Sequence, residues 1–255
     1  MSKNIIFFNG IPRAGNTLLG SIVNSNKNIK ATPNSVVLDI LFQLAEIKKN
    51  SVFENFPDHE SFDNVATNVF DFYYKDWDCN TILERGPWGT PLNLELLNSF
   101  IDKPKFFILT RPLLECLASF VKLKIENKSL KQHEVKEYVE NQLMQNIFKK
   151  WIWGVKNIVK SKQDYLHLDY NQLINSPKIF LKKLSQFCNV EITLPSYIKQ
   201  FKINDVEYND RAIGLKNLHR LNNNKIKKNH YKIENYLSLE IIDKYKNFNY
   251  FDNEF

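Results

Sequence analysis

The amino-acid sequence predicts an α/β fold, because short apolar runs alternate along the chain with segments of helical periodicity. Four of these runs are too short for helices and rich in strand-forming residues; they lie at 5–8, 81–83, 105–110 and 165–168. The 255 residues, 43% of them hydrophobic, are enough for one sizeable core. We therefore expect a single domain over residues 1–255.

Helices are predicted where apolar residues recur every three or four positions. In chain order these segments are 17–24, 35–44, 61–77, 92–100, 113–121, 133–158, a stretch that begins at Pro177, and 233–245. Ser35 is a suitable cap for the helix that it begins. The segments 24–34 and 48–59 are expected to be polar connections.

The polar segment 204–228 has no regular pattern and carries several cations, among them Arg211, Arg220 and Lys228. A long cationic segment of this kind is often a lid or a binding loop, and residues 210–230 are the candidate. A solvated tail is the alternative that the sequence leaves open.

Charge and cysteine content narrow the class of protein. The formal net charge of +7 suits an anionic ligand, a nucleic acid or an acidic surface. A dense run of Arg and Lys with interleaved aromatic residues is absent, which argues against nucleic acid. Cys79, Cys116 and Cys188 are too scattered for a metal site or a disulfide framework. Since neither a secretory signal nor a bilayer-spanning run is visible, we expect a cytoplasmic protein with reduced thiols.

The first strand leads into a glycine-containing loop and a helix start. Such a loop forms an anion site, because backbone N–H groups point inward and the helix dipole adds positive charge. Gly10, Gly15 and Thr17 match the spacing of a nucleotide-binding P-loop, but Asn16 stands at the position of its lysine. Because that lysine neutralises the β- and γ-phosphates, its absence argues against ATP or GTP. Arg13 is the nearest cation; an ordinary turn without a ligand is the alternative.

Charged residues stand at the ends of two later strands. Glu84 and Arg85 follow the second predicted strand, and Arg111 follows the third. The carboxyl ends of strands are where open α/β sheets bind ligands. Arg111 and Ser119, two turns along the next helix, could together hold a phosphate. A surface ion pair is the alternative for Arg111.

Two of these motifs resemble the sulfotransferase family. The loop Pro12-Arg13-Ala14-Gly15-Asn16-Thr17-Leu18-Leu19 is similar to its 5′-phosphosulfate loop, which usually reads P-[KR]-[SA]-G-[ST]-T-x-L. The strand and helix from Phe107 to Phe120 resemble its 3′-phosphate motif, with an arginine after the strand and a serine along the helix. Leu168-Asp169-Tyr170, followed by the helix at Pro177, looks like the family's late strand–Tyr–helix segment. The resemblance covers most of residues 1–190.

The resemblance implies a three-layer, P-loop-like α/β fold with a central parallel β-sheet flanked by helices. It also implies a donor substrate, 3′-phosphoadenosine-5′-phosphosulfate (PAPS), and transfer of its sulfuryl group to a hydroxyl or amine without a metal. Arg13 and backbone N–H groups would stabilise the charge on the leaving oxygen, and Arg85 would face the sulfonate. The residues implied for donor binding are Pro12, Arg13, Ala14, Gly15, Asn16, Thr17, Leu18, Arg111 and Ser119.

This chain differs from the family pattern at the positions where relatives have the general base that takes the acceptor's proton. Many relatives have a Glu where this chain reads 31–35 and has no acid, and others have a His where this chain has Glu84 and Arg85. Glu84 is the first candidate for the base, and Asp39 and His219 follow; an ion pair between Glu84 and Arg85 is the structural alternative. A P-loop kinase or other NTPase, and a catalytically inactive nucleotide-binding relative, are the alternative functions.

Overall fold

The computed structural model describes residues 3–221, 223–227 and 232–252. Five parallel strands form one sheet in the order β2-β3-β1-β4-β5, and helices flank it, which confirms the predicted α/β fold. The strands are β1 (Asn4–Gly10), β2 (Ile29–Ala31), β3 (Thr81–Arg85), β4 (Lys105–Thr110) and β5 (Asp164–Asp169). The ends of the predicted domain, residues 1–2 and 253–255, and Lys228 of the predicted lid lie outside the described residues.

β2 corrects the sequence prediction, which treated 24–34 as a polar connection throughout. Ile29 and Ala31 are buried and pair with β3 at the edge of the sheet. The Ala31 N–H also donates to Asn24 Oδ1 at 2.6 Å. A three-residue strand is too short to show the alternation by which strands are recognised in a sequence.

The first half of the helical prediction needs three corrections. The segment 48–59 contains a short helix, and the predicted helix 61–77 is two helices that meet at Asn68. The helix expected from Ser35 has Val36 as its N-cap, while the Ser35 hydroxyl accepts from the Val37 N–H at 3.3 Å. The helices are α1 (Asn16–Asn24), α2 (Val37–Ile47), α3 (Ser51–Asn55), α4 (His59–Thr67), α5 (Val69–Tyr73), α6 (Pro91–Phe100) and α7 (Leu113–Glu126).

The second half differs mainly in the long helix predicted over 133–158. It begins with a 3₁₀ turn at Gln132–Glu134, continues as π-helix over Tyr138–Phe148 and returns to α-helical geometry afterwards. The segment 233–245 is likewise a 3₁₀ turn at Ile233–Asn235 and a separate helix, not one helix. The remaining helices are α8 (Val135–Glu137), α9 (Lys149–Lys160), α10 (Tyr170–Asn175), α11 (Pro177–Cys188) and α12 (Leu239–Tyr245).

The sheet brings the ends of its three central strands together. β1 lies between β3 and β4, with Phe8 opposite Arg85 on one side and Phe107 on the other. The loop after β1 therefore lies between the residues that end β3 and those that follow β4. β1, β3 and β4 are buried almost throughout, as expected for a parallel sheet covered on both faces. Across the described ranges, no helix is long and apolar enough to cross a membrane.

Candidate active site

A cavity of about 360 Å³ lies at the carboxyl ends of β1, β3 and β4. All but one of the nine residues implied for donor binding line it, and so do Arg85 and His219. The exception, Ala14, is fully buried, and its N–H closes the loop on the Ile11 carbonyl at 3.0 Å. The residues implied for donor binding that line the cavity are Pro12, Arg13, Gly15, Asn16, Thr17, Leu18, Arg111 and Ser119.

The loop between β1 and α1 is held in a compact shape by its own residues. Asn16, at the position of the P-loop lysine, donates from Nδ2 to the carbonyls of Ile11 at 2.9 Å and Gly10 at 3.2 Å. Gly15 has a φ of 91°, and a Cβ there would lie 2.6 Å from the Tyr170 ring. Glycine is required at this position for both reasons. The Asn16 side chain thus closes the loop and presents no cation to a ligand.

Arg111 and Ser119 lie beside this loop. Arg111 is 5% exposed, and its guanidinium donates from Nη1 to the Arg13 carbonyl at 3.2 Å. It also donates from Nε to Glu115 at 2.9 Å and lies 4.4 Å from the centre of the Tyr170 ring. Arg13 in turn donates from Nε to the Ser119 hydroxyl at 3.2 Å. The two motifs that were recognised separately in the sequence therefore form one continuous cationic cluster.

Arg85 occupies the opposite side of the loop, at the end of β3. Its Nη1 donates to Asn34 Oδ1 at 2.7 Å, and its guanidinium carbon lies 4.9 Å from the centre of the Trp151 ring. Its backbone N–H donates to the Thr32 hydroxyl at 2.7 Å, which fixes the strand end. Burial lowers the pKa of Arg85, and the group nevertheless remains a cation at neutral pH.

Glu84 is buried beneath the site and is not among the described residues that line the cavity. Successive residues of a strand point to opposite faces, so Glu84 and Arg85 diverge and the alternative of an ion pair between them does not hold. The Glu84 carboxylate instead accepts hydrogen bonds from the hydroxyls of Ser35 and Tyr74. This geometry does not suit the acceptor base that the sequence suggested first. Asp39, the second candidate, is exposed in the first turn of α2 and likewise not among the lining residues.

The burial of Glu84 predicts an unusual dependence of stability on pH. Burial raises its pKa from 4.5 to about 7. The folded state therefore keeps a proton that the unfolded state releases, and the contribution of Glu84 to stability falls as the pH rises from 4.5 to 7. Glu84→Gln cannot titrate, so its cost in free energy of unfolding should be about 1–3 kcal/mol smaller at pH 8 than at pH 5.

Urea unfolding of both proteins at the two pH values measures this difference. A cost of Glu84→Gln that does not change with pH would contradict the buried, protonated carboxyl.

His219 lines the cavity in a geometry suited to a base. Its Nδ1 lies 2.6 Å from one oxygen of Asp210, and its backbone N–H donates to the other at 3.0 Å. Its ring stacks on Tyr208 with centroids 3.7 Å apart and planes 8° apart. Burial lowers the pKa of His219, the charges of Arg85 and Arg13 lower it further, and Asp210 opposes them. With Nδ1–H bound by Asp210, the neutral ring has Nε2 as its acceptor.

The segment 210–230, the predicted lid or binding loop, supplies one wall of the cavity where it is described. Arg13 Nη1 donates to the Leu218 carbonyl at 2.6 Å, so this wall is fastened to the loop after β1. The described cavity lining has seven Arg and Lys side chains and no Asp or Glu. The cations are Arg13, Arg85, Arg111, Lys150, Arg220, Lys225 and Lys227.

Sequence reasoning missed several residues of the cavity. Trp151 lies in the predicted helix over 133–158, where nothing in the sequence marks it as a site residue, yet it is both buried and part of the lining beside Arg85. Tyr208 and Asn34 lie in irregular segments with no motif to mark them. Tyr170 stood in the late strand–Tyr–helix segment, which is the sequence signal that could have identified it, and the structure places its ring against Gly15 and Arg111.

The sequence matches no model of a known protein family, and no curated protein sequence matches it significantly. Among solved structures it is similar to the sulfotransferase domain of the Synechococcus PCC 7002 olefin synthase, with a TM-score of 0.52 and 15% sequence identity over 97% of this chain and 89% of that one. It is also similar to a sulfotransferase from Alicyclobacillus acidocaldarius, with a TM-score of 0.50 and 14% identity over 80% and 88%. At these identities the likeness concerns the fold alone: the chain has a sulfotransferase-like, P-loop-like α/β fold.

Proposed function

We propose that this protein is a sulfotransferase that moves a sulfuryl group from PAPS to a hydroxyl or amine of an acceptor. The observation that carries the proposal is the contact between the two anion-binding motifs. Arg111 donates to the backbone of the loop after β1, and Arg13 of that loop donates to Ser119. A ligand with phosphates at both ends of one nucleoside fits such a joined cluster.

The two ends of the donor would bind to different parts of the site, the 3′-phosphate after β4 and the 5′-phosphosulfate after β1. Arg111 and Ser119 would hold the 3′-phosphate, because a fixed guanidinium and a hydroxyl bind phosphate oxygens well. The backbone N–H groups at the start of α1, from Gly15 to Thr17, would bind the 5′-phosphosulfate. Arg13 lies between the two groups. These contacts would fix the position of the donor, which lowers the entropic part of the barrier.

The transfer step needs a base and a stabilised leaving group. His219 Nε2 would accept the proton of the acceptor hydroxyl while its oxygen attacks sulfur and the bond from sulfur to the bridging oxygen breaks. That oxygen keeps the electron pair and leaves as the 5′-phosphate of adenosine 3′,5′-diphosphate. Arg13 and the loop N–H groups would stabilise its charge. Asp210 would hold the imidazole in the tautomer that can accept a proton.

Asn16 weighs against the alternative of a P-loop kinase or other NTPase. Its side chain bonds to the loop's own carbonyls instead of carrying a charge toward a triphosphate. A P-loop NTPase uses its lysine at this position to bind the β- and γ-phosphates. The loop after β1 thus favours a ligand with fewer phosphates on the 5′ side.

Ligand-dependent melting tests the proposal. Adenosine 3′,5′-diphosphate at about 100 times its Kd should add about 2.7 kcal/mol of stability, which raises Tm by roughly 5–10 °C. ATP with magnesium at the same concentration should change Tm little. Equal or greater stabilisation by ATP would contradict the proposal and favour an NTPase. Binding of the diphosphate without sulfate transfer to any acceptor in a radiolabel screen would indicate an inactive relative.

A further inference from the structure

Arg85 is a buried cation for which the described residues provide no carboxylate partner. The residue is 9% exposed, and its one described side-chain hydrogen bond goes to the neutral amide of Asn34. Its Nε is buried and has no hydrogen-bond partner within the described chain. An uncompensated buried charge is costly, so an anion bound beside it would be strongly favoured.

The neighbouring acidic groups do not supply that charge. Glu84 points to the other face of β3, and both of its oxygens accept from Ser35 and Tyr74. Tyr208 is close enough to act on Arg85 electrostatically, but burial raises the pKa of its phenol, which is therefore neutral at pH 7. Since none of the described residues supplies the compensating anion, we assign it to a ligand in the cavity.

The strand order shows which ligand group this anion belongs to. β1 separates β3 from β4, so Arg85 and Arg111 lie on opposite sides of the loop after β1. A donor with its 3′-phosphate at Arg111 and its 5′-phosphate on the loop leaves Arg85 to groups beyond its 5′ end. Lys150 is a second cation in the cavity lining, next in sequence to the Trp151 that contacts Arg85, and it is exposed. The positive charge at this end of the cavity therefore exceeds the single negative charge of one transferred sulfonate.

We propose that the acceptor is itself an anion, a hydroxyl compound whose carboxylate or phosphate binds the Arg85 guanidinium while its hydroxyl lies at His219. This inference rests on the proposed function and adds the substrate class to it. Arg85 and His219 line the same cavity of about 360 Å³, so one small molecule can reach both groups. The planar guanidinium suits bidentate binding of either anion.

Matched pairs of acceptors test this inference. The probes are 4-hydroxyphenylacetate and 3-hydroxybutyrate, each beside its neutral methyl ester, and glycerol 3-phosphate beside glycerol. With radiolabelled PAPS, kcat/KM for the anionic member of at least one pair should exceed that for its neutral partner by about 30-fold or more. In Arg85→Met the preference should fall to within about twofold, because only the anionic member loses a charge partner. The carboxylate and phosphate pairs distinguish the two anions.

Lys149→Met is the matched control. Lys149 also lies over an indole ring, 4.8 Å from the centre of Trp153, but is not among the described lining residues. The substitution removes the same charge next to the site and should leave the preference unchanged. Arg85→Met should melt no lower than the wild type, because it removes an uncompensated buried charge and leaves only the exposed Asn34 amide to water.

Each result separates this inference from the proposed function. The inference is overturned if the neutral acceptor of each pair reacts as well as the anionic one. It is also overturned if Arg85→Met slows the reaction of both acceptors equally, since Arg85 would then bind the sulfonate. If no probe is sulfated, calorimetry measures whether the anionic probes bind to the complex of the protein with adenosine 3′,5′-diphosphate. The absence of binding would overturn this inference and leave the proposed function standing. Failure of the diphosphate itself to bind overturns the proposed function.

Discussion

Arg111→Met is expected to weaken the binding of adenosine 3′,5′-diphosphate by about 30-fold or more, because loss of one partner of a buried charge pair typically costs about 2–5 kcal/mol. Four groups hold the guanidinium in place before a ligand arrives: Glu115, the Arg13 carbonyl, the Tyr170 ring and the surrounding core. A charge that is already oriented gives more binding free energy than a mobile one, since less freedom is lost. Titration calorimetry measures the Kd directly.

Two further variants show whether the loss is specific. Lys105→Met removes a cation from the other end of β4, where Lys105 makes an exposed ion pair with Asp164 at 3.6 Å, and should leave the Kd unchanged. Arg111→Lys keeps the charge but loses the planar guanidinium, so its Kd should lie between those of the wild type and Arg111→Met. If Arg111→Met melts as a folded protein and its Kd is unaltered, Arg111 does not bind the 3′-phosphate. At saturating donor, its kcat should change far less than its Kd.

Four of the five strands and the loop after β1 could be predicted because their signals are local. A buried parallel strand is a continuous apolar run. Runs of this kind, too short for a helix, stand at Ile5 to Phe8 and at Phe106 to Leu109. The glycines and the Pro12-Arg13 pair mark the loop in the same way. Placing Arg111 beside that loop required only that neighbouring strands end at the same edge of the sheet.

The π-helix was not predicted, although the sequence contains its signal. Tyr138, Leu143 and Phe148 are buried at five-residue intervals, as are Val139 and Met144. Residues at this interval lie near one face of a π-helix, whose hydrogen bonds join residues five apart. The same residues also fit an α-helical face loosely, because the turn of a π-helix is only slightly larger than that of an α-helix. The long amphipathic pattern therefore concealed the change in geometry next to Trp151.

The surroundings of Arg85 could not be predicted, because they are built from contacts between distant segments. Arg85 itself was a candidate, but Asn34, Trp151 and Tyr208 come from three other parts of the chain, and no spacing connects them to it. Glu84 shows why a charged residue at a strand end cannot be assigned to a site from the sequence alone. A carboxylate there looks like a site residue, but the face of the sheet on which it lies depends on where β3 begins and ends. The next residue, Arg85, points to the opposite face and lines the cavity.

His219→Gln is expected to lower kcat by about 10²–10⁴-fold while leaving the Kd for adenosine 3′,5′-diphosphate unchanged, because a general base contributes that much to a transfer step. The ring is held by the stack on Tyr208 and by one oxygen of Asp210, and the other oxygen accepts from the His219 backbone N–H. The base is therefore positioned by the protein and not by the substrate. The measurements are turnover with the best acceptor found in the paired screen and calorimetry of donor-product binding.

The pH profile distinguishes a base from a merely structural histidine. His219 must be neutral to accept a proton, so kcat/KM should rise with pH through its pKa and level off above it. Burial and the charges of Arg85 and Arg13 hold that pKa below 6.5, and the Asp210 carboxylate raises it. Asp210→Asn should therefore move the acidic limb to lower pH and also lower the plateau, since the tautomer is no longer fixed.

His167→Gln provides the matched control, because His167 is a second half-buried histidine whose pKa is also lowered by burial. Its Nε2 lies 2.8 Å from the Thr110 hydroxyl, and it is not among the described residues that line the cavity. Its substitution should change neither the plateau nor the acidic limb. An acidic limb that stays in place in Asp210→Asn, or one that disappears in His167→Gln, would show that the titrating group is not His219. The proton would then have to leave the acceptor by another route.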